Sequence, residues 1–197
     1  MSDDDKKLLT MVESIGLQLE PDEDWIPVLL GLKNGERALC TIDPLFLDDG
    51  NGKDRLFYGV LPQLILKEKF HEVAIVMTCW MLRLDGQKAG EVDVDNLPIP
   101  SQSPDRIEAV VVTVMDSENV KAYIAKITRL EKRAPTLDKW EECPGVEGRI
   151  SDVILPMLRY VRYPTAPMAA VVATAIAKSR GSDKVFTEED MPGEFGI

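Results

Sequence analysis

Nucleophilic catalysis needs a hydroxyl or thiol beside a base, and this chain offers a single histidine, His71, together with three dispersed cysteines, Cys40, Cys79 and Cys143. No Gly-x-Ser-x-Gly elbow is present, and no cysteine-protease context surrounds any thiol. His71 opens an apolar run and reads as a strand-end residue. One histidine and no Cys-x-x-Cys pair also exclude the common zinc patterns.

Carboxylates are more plentiful, but their spacing is poor for metal binding. Asp48-Asp49-Gly50-Asn51-Gly52 invites comparison with a calcium loop. Aligning Gly52 with the turn glycine puts Leu47 at the first ligand position and Tyr58 where a bidentate Glu belongs, so the match fails. Asp93 and Asp95 share one side if Glu91 to Asp95 is extended, which hard cations accept, yet a pair in a loop is not a site. Gly50-x-Gly52 lacks the Gly-Lys-Ser/Thr ending of a phosphate loop. The reading is no metal, no cofactor and, on balance, no enzyme.

Charge narrows the partners. The net charge of −11 is uneven: residues 1–25 hold eight acids and two bases, and the loop 85–105 and the tail 181–197 each hold five acids and one base. The remainder is therefore slightly basic. Solvated, flexible acidic segments are the favoured reading; DNA mimicry requires carboxylates spaced on a rigid surface. Lys121, Lys126, Arg129, Lys132 and Arg133, followed by Arg149, Arg159 and Arg162, assure no single stripe, and only Tyr123 interleaves the first five, so nucleic-acid binding is disfavoured. The lysines between 120 and 128 suit a solvated edge strand.

The elements that would position these groups follow from periodicity. Residues 4–15 have the apolar spacing of a short amphipathic helix, closed by Gly16. Ile26 to Leu32 and Arg37 to Ile42 flank Asn34-Gly35, the strongest short hairpin signal. A helix from Asp54 to about Lys69 is broken near Pro62. Val73 to Leu82, Ile107 to Met115 and Val120 to Thr128 read as three strands, the last two joined through Asp116 to Asn119. Arg149 to Arg162, disturbed by Pro156, and Thr165 to Arg180 read as two C-terminal helices. The expected fold is α+β: an antiparallel sheet, made of the hairpin 26–42 and the meander 73–129, packed with N-terminal, middle and two C-terminal helices. The domain reading is an acidic segment 1–25, one domain over 26–180 with the acidic loop 85–105, and a flexible tail 181–197.

Cys40 and Cys79 fall in expected strands, which favours buried free thiols and a reducing cytoplasm. The N-terminus is too polar for a secretory signal, and the apolar run Pro167 to Ala177 is too short to cross a bilayer.

One composite feature joins two strand ends. Cys79-Trp80-Met81 closes one strand and Ser103-Pro104-Asp105-Arg106-Ile107-Glu108-Ala109 opens the next, so a hairpin is expected to bring Trp80 or Met81 near Asp105, Arg106 and Glu108. An aromatic beside a charge cluster is a partner anchor or a clasp in which Arg106 pairs with a carboxylate. Trp80-Met81 followed by Pro104-Asp105-Arg106-x-Glu108-Ala109-Val110 resembles a pattern in small uncharacterised bacterial and phage-associated proteins. The resemblance spans about 50 residues and implies a cytoplasmic protein of phage or mobile-element origin, with no activity to carry over.

The favoured function is a non-enzymatic interaction protein with Trp80, Asp105, Arg106 and Glu108 as partner-binding residues. Its protein partner is unidentified, and self-association through a sheet edge or the Ala-rich helix is compatible with the sequence. Two alternatives stay open. A small-molecule-binding protein or carboxylate-dependent enzyme needs acids such as Asp43, Asp105 and Glu108 to converge. A nucleic-acid role would be salt-sensitive.

Overall fold

The Asn34-Gly35 turn sets the first pairing. Asn34 (φ 53°) and Gly35 (φ 83°) both take the left-handed conformation that a two-residue primed turn requires. They close β1 (Val28–Lys33) onto β2 (Glu36–Thr41) in antiparallel register from Lys33↔Glu36 to Val28↔Thr41. A computed structural model describes residues 1–42, 56–82, 99–143 and 149–165 of the protein. Its further elements are α1 (Asp3–Gly16), a π-helical turn (Leu56–Val60), α2 (Leu61–Glu68), β3 (Glu72–Leu82), a 3-10 turn (Pro100–Gln102), β4 (Arg106–Asp116), β5 (Val120–Thr128), β6 (Thr136–Leu137), β7 (Glu141–Cys143) and α3 (Arg149–Arg162).

The strands form one seven-stranded sheet in the order β2-β1-β3-β4-β5-β6, with β7 also paired to β5. β1 pairs antiparallel with β2 and with β3, and β5 pairs antiparallel with β6, so the chain is α+β as its periodicity suggests. One expectation fails. β5 is not a solvated edge, because β6 and β7 cover its outer side. Alternation explains it: Tyr123, Ala125 and Ile127 are buried, while Lys126 between them stays exposed.

The chain divides into two compact units. One comprises Met1–Trp25, Met77–Val111 and Tyr123–Glu142. Here α1 buries Leu8, Leu9 and Val12, and Ser2 caps it in a reciprocal box with Asp5. The Trp25 ring lies so close to Gly16 that an added Cβ would sit 2.1 Å from it. Its indole Nε1 donates to the Val12 carbonyl at 3.1 Å. The N-terminal acids are therefore not simply solvated. Asp5 accepts from Ser2 N, Glu13 from Trp140 Nε1 and Glu23 from Glu20 N.

The other unit comprises Ile26–Val76, Val112–Ala122 and Cys143–Ile197. Its β1–β3 register runs from Leu32↔Glu72 to Val28↔Val76. Gly31 lets the Phe70 ring lie flat on β1, since a Cβ there would be 2.5 Å from ring carbons. The chain break near Pro62 is a switch from the π-helical turn to α2, with Pro62 in the first turn of α2, where its missing N–H costs nothing. Lys69 ends α2 in the left-handed conformation. α2 and α3 are neighbours, and Ile154, Met157 and Leu158 of α3 are fully buried. Arg159 and Arg162 reach Ser117 in the β4–β5 turn, so two of the basic residues serve a turn.

The expected helix beyond Thr165, most of the acidic loop, the acidic tail, Asp43, Asp48 to Gly52, and Asp93 with Asp95 lie outside the described residues. Among the described residues no helix is long and apolar enough to cross a membrane.

Candidate functional site

Trp80 and Arg106 come from adjacent strands, and the structure brings them together. Trp80 sits near the end of β3 on an alternating face and is 43% exposed. The Arg106 guanidinium carbon lies 4.5 Å from its ring centroid, within the range of a cation–π contact. The preceding turn holds Arg106 in place. Pro100–Gln102 forms the 3-10 turn, and Ser103, buried, accepts from Asp105 N at 3.2 Å. Arg106 Nη1 then donates to the Ser101 carbonyl at 2.5 Å. Among the described residues Arg106 has no carboxylate partner. Asp105 stays exposed at the turn.

Glu108 behaves differently. Its two oxygens accept from Arg129 Nε at 2.9 Å and Nη2 at 2.8 Å, the bidentate geometry in which a guanidinium matches a carboxylate. Arg129 also donates from Nη1 to the carbonyls of Pro21 and Glu23 and from Nη2 to Asp24. Its hydrogen bonds to Glu108 first, then the charges of Glu108 and Asp24, hold it protonated above its ordinary range against the opposing effect of burial. Glu108 is thus the register clasp that Arg106 was expected to join, with Arg129 as its partner. A general acid or base needs an oxygen free for substrate, and Arg129 occupies both of these.

Arg129 was missed at the sequence level although one signal points to it. Tyr123, Ala125 and Ile127 of β5 are buried, so the next odd residue brings a cation to that face, and such a cation needs a carboxylate. Its partners could not be read, because they lie in remote segments. The same holds for Tyr123, whose hydroxyl donates to Asp5 Oδ2 at 2.9 Å. Burial, then this hydrogen bond, pushes the Tyr123 phenol above its ordinary value of 10.0.

Cys40 and Cys79 are free thiols. Burial pushes Cys79 above its usual value, and burial with the nearby Glu68 charge does the same for Cys40. Neither has the lowered value of a reactive thiolate. His71 is exposed, with its backbone N–H on the Leu32 carbonyl. Among the described residues no group of three or more His, Cys, Asp or Glu could hold a metal ion. No protein-family model, curated protein or solved structure matches the chain.

Proposed function

We propose that the chain is a non-enzymatic accessory protein of the cytoplasm that acts by protein–protein contact through the Trp80–Arg106 patch. The observation that carries this reading is a large aromatic left 43% exposed with a cation laid over it. Trp and Arg dominate the energetics of protein interfaces, Trp through contact area and Arg through its planar donors. The turn over residues 100–106 presets the arginine, which lowers the entropy lost on binding. The occupied state of Glu108 favours contact over carboxylate chemistry at this end of the sheet. A phage or mobile-element origin rests on the resemblance at residues 80–110 alone.

The test is quantitative capture from the native host with tagged full-length protein. The Trp80→Ala/Arg106→Ala double variant is compared with wild type after its fold is verified by circular dichroism. Specific proteins held by wild type and lost from the double variant support the reading. Equal capture by both removes the patch.

A further inference from the structure

We infer that the outer edge of β3 at Thr78, Trp80 and Leu82 takes up an extended peptide as an added strand, with a carboxylate side chain of that peptide on Arg106. The inference deepens the contact reading of the Trp80–Arg106 patch and rests on it.

Hydrogen-bond parity identifies the edge. Ile42 N donates to the Pro27 carbonyl, so residues 27 and 42 are a hydrogen-bonded pair in the β1–β2 register. Alternation then directs the backbone groups of Leu29 and Gly31 to β2, and those of Val28, Leu30 and Leu32 to β3. The Leu32 carbonyl agrees, since it accepts from His71 N. On β3 the matching residues are Glu72, Ala74 and Val76. The register ends at Val28↔Val76, after Pro27. Continuing the alternation, Thr78, Trp80 and Leu82 direct their N–H and C=O groups to the same side, beyond the reach of that ladder. Met77, Cys79 and Met81 direct theirs to β4.

Two further observations indicate that this edge is built to be covered. Natural edges are guarded by charge, proline or a bulge; the run Met77-Thr78-Cys79-Trp80-Met81-Leu82 has no charged residue and no proline. Among the described residues Thr78 Oγ1 is buried without a hydrogen-bond partner, a rare state for a polar atom. Strand addition supplies main-chain hydrogen bonds along such an edge, and side chains give the specificity.

Charge selects the occupant. Arg106 has no carboxylate partner among the described residues, and a planar guanidinium matches a carboxylate. A second copy paired edge to edge would leave it unanswered, because Met77 to Leu82 contains no carboxylate. The occupant is therefore an extended peptide segment whose one charged residue is an Asp or Glu.

The experiment uses ¹⁵N-labelled full-length protein and three blocked heptapeptides. The first is Val-Thr-Val-Glu-Val-Thr-Val, the second has Lys in place of Glu, and the third carries alternate backbone N-methyl groups. The free protein should show fast amide exchange at Thr78, Trp80 and Leu82 and slow exchange at Met77, Cys79 and Met81. The acidic peptide should slow the first set, and the N-methylated peptide should not. Leu82→Pro removes an outward N–H and spares the β4 ladder, so it should weaken binding in a folded protein. Arg106→Glu should weaken the acidic peptide by about tenfold, the loss of one charge-assisted contact, and restore binding to the Lys peptide.

Slow exchange at Thr78, Trp80 and Leu82 in the free monomer overturns the inference, as does protection that appears only with dimer formation. Indifference to Leu82→Pro, or no binding of the acidic peptide, does the same. If host capture still depends on Trp80 and Arg106 in those cases, the contact reading survives and only the strand-addition inference falls. If capture does not depend on them, both fall.

Discussion

Arg129 grips both oxygens of Glu108, at 2.8 and 2.9 Å, and its remaining donors go to the Pro21 and Glu23 carbonyls and to Asp24. One side chain thus ties the end of β5 to β4 and to the connector after α1. Its charge is spent on structure, which separates it from Arg106.

Arg129→Met should destabilise the protein by about 2–4 kcal/mol, because it leaves the half-buried Glu108 without its cation. Arg129→Lys should fall between, since an ammonium keeps the charge but cannot make the fork. Urea unfolding of the three proteins measures both differences. Equal stability of Met and wild type would show that the clasp is neutral.

Tyr123→Phe removes the donor to Asp5 and should cost about 1–2 kcal/mol near neutrality. The phenol is raised in the folded state, so folding favours its protonated form. That contribution is complete below the ordinary value of 10.0 and is lost as pH rises through the higher folded value. The stability gap between wild type and Tyr123→Phe should therefore shrink in strong alkali. A gap that widens there reverses the assignment.

Asp116 behaves in the opposite sense. Burial pushes its carboxyl up, but the N–H groups of Glu118 and Asn119, at 2.6 and 2.8 Å, the Asn119 side chain and the charge of Arg162 outweigh it, so the net value is lowered. Its contribution is present above the usual 3.8 and is lost as pH falls through the lower folded value. Asp116→Ala should cost about 1 kcal/mol at neutral pH and almost nothing in strong acid. Unfolding curves at the two extremes decide.

Gly31→Ala should cost about 1–3 kcal/mol, the usual penalty for overpacking, because the new methyl would meet the Phe70 ring. The same change in a Phe70→Leu background should cost less. A double-mutant cycle reads the coupling; additive costs would place the strain elsewhere.

Trp80→Ala/Arg106→Ala should change stability by no more than about 1 kcal/mol, the scale of an exposed cation–π contact. Thermal unfolding checks this. A large loss would make the pair a structural clasp and remove it as a docking patch.

Local signals were legible and remote ones were not. Asn34-Gly35 announced its hairpin because its turn type depends on two adjacent residues. Pro62 announced a break because proline cannot donate, although the π-helical turn before it has no comparable signature. Trp80 and Arg106 were paired correctly because consecutive strands place their ends together. Glu108 was assigned to the same patch, but its partner Arg129 is 21 residues away, just past the end of β5. The Pro21–Asp24 connector that completes the clasp is more than 100 residues from Arg129. Periodicity reports which face a residue takes, and never which distant segment will cover that face.

The hydrogen bond from Tyr123 to Asp5 spans 118 positions of the chain. A ribosome adding about 5–20 residues per second needs roughly 6–24 s to deliver the tyrosine after the aspartate has been made. Throughout that interval Asp5 has no Tyr123 to anchor α1. The nascent chain therefore carries the apolar face of α1, with Leu8, Leu9 and Val12, without that anchor for seconds, a natural substrate for the chaperones that attend synthesis.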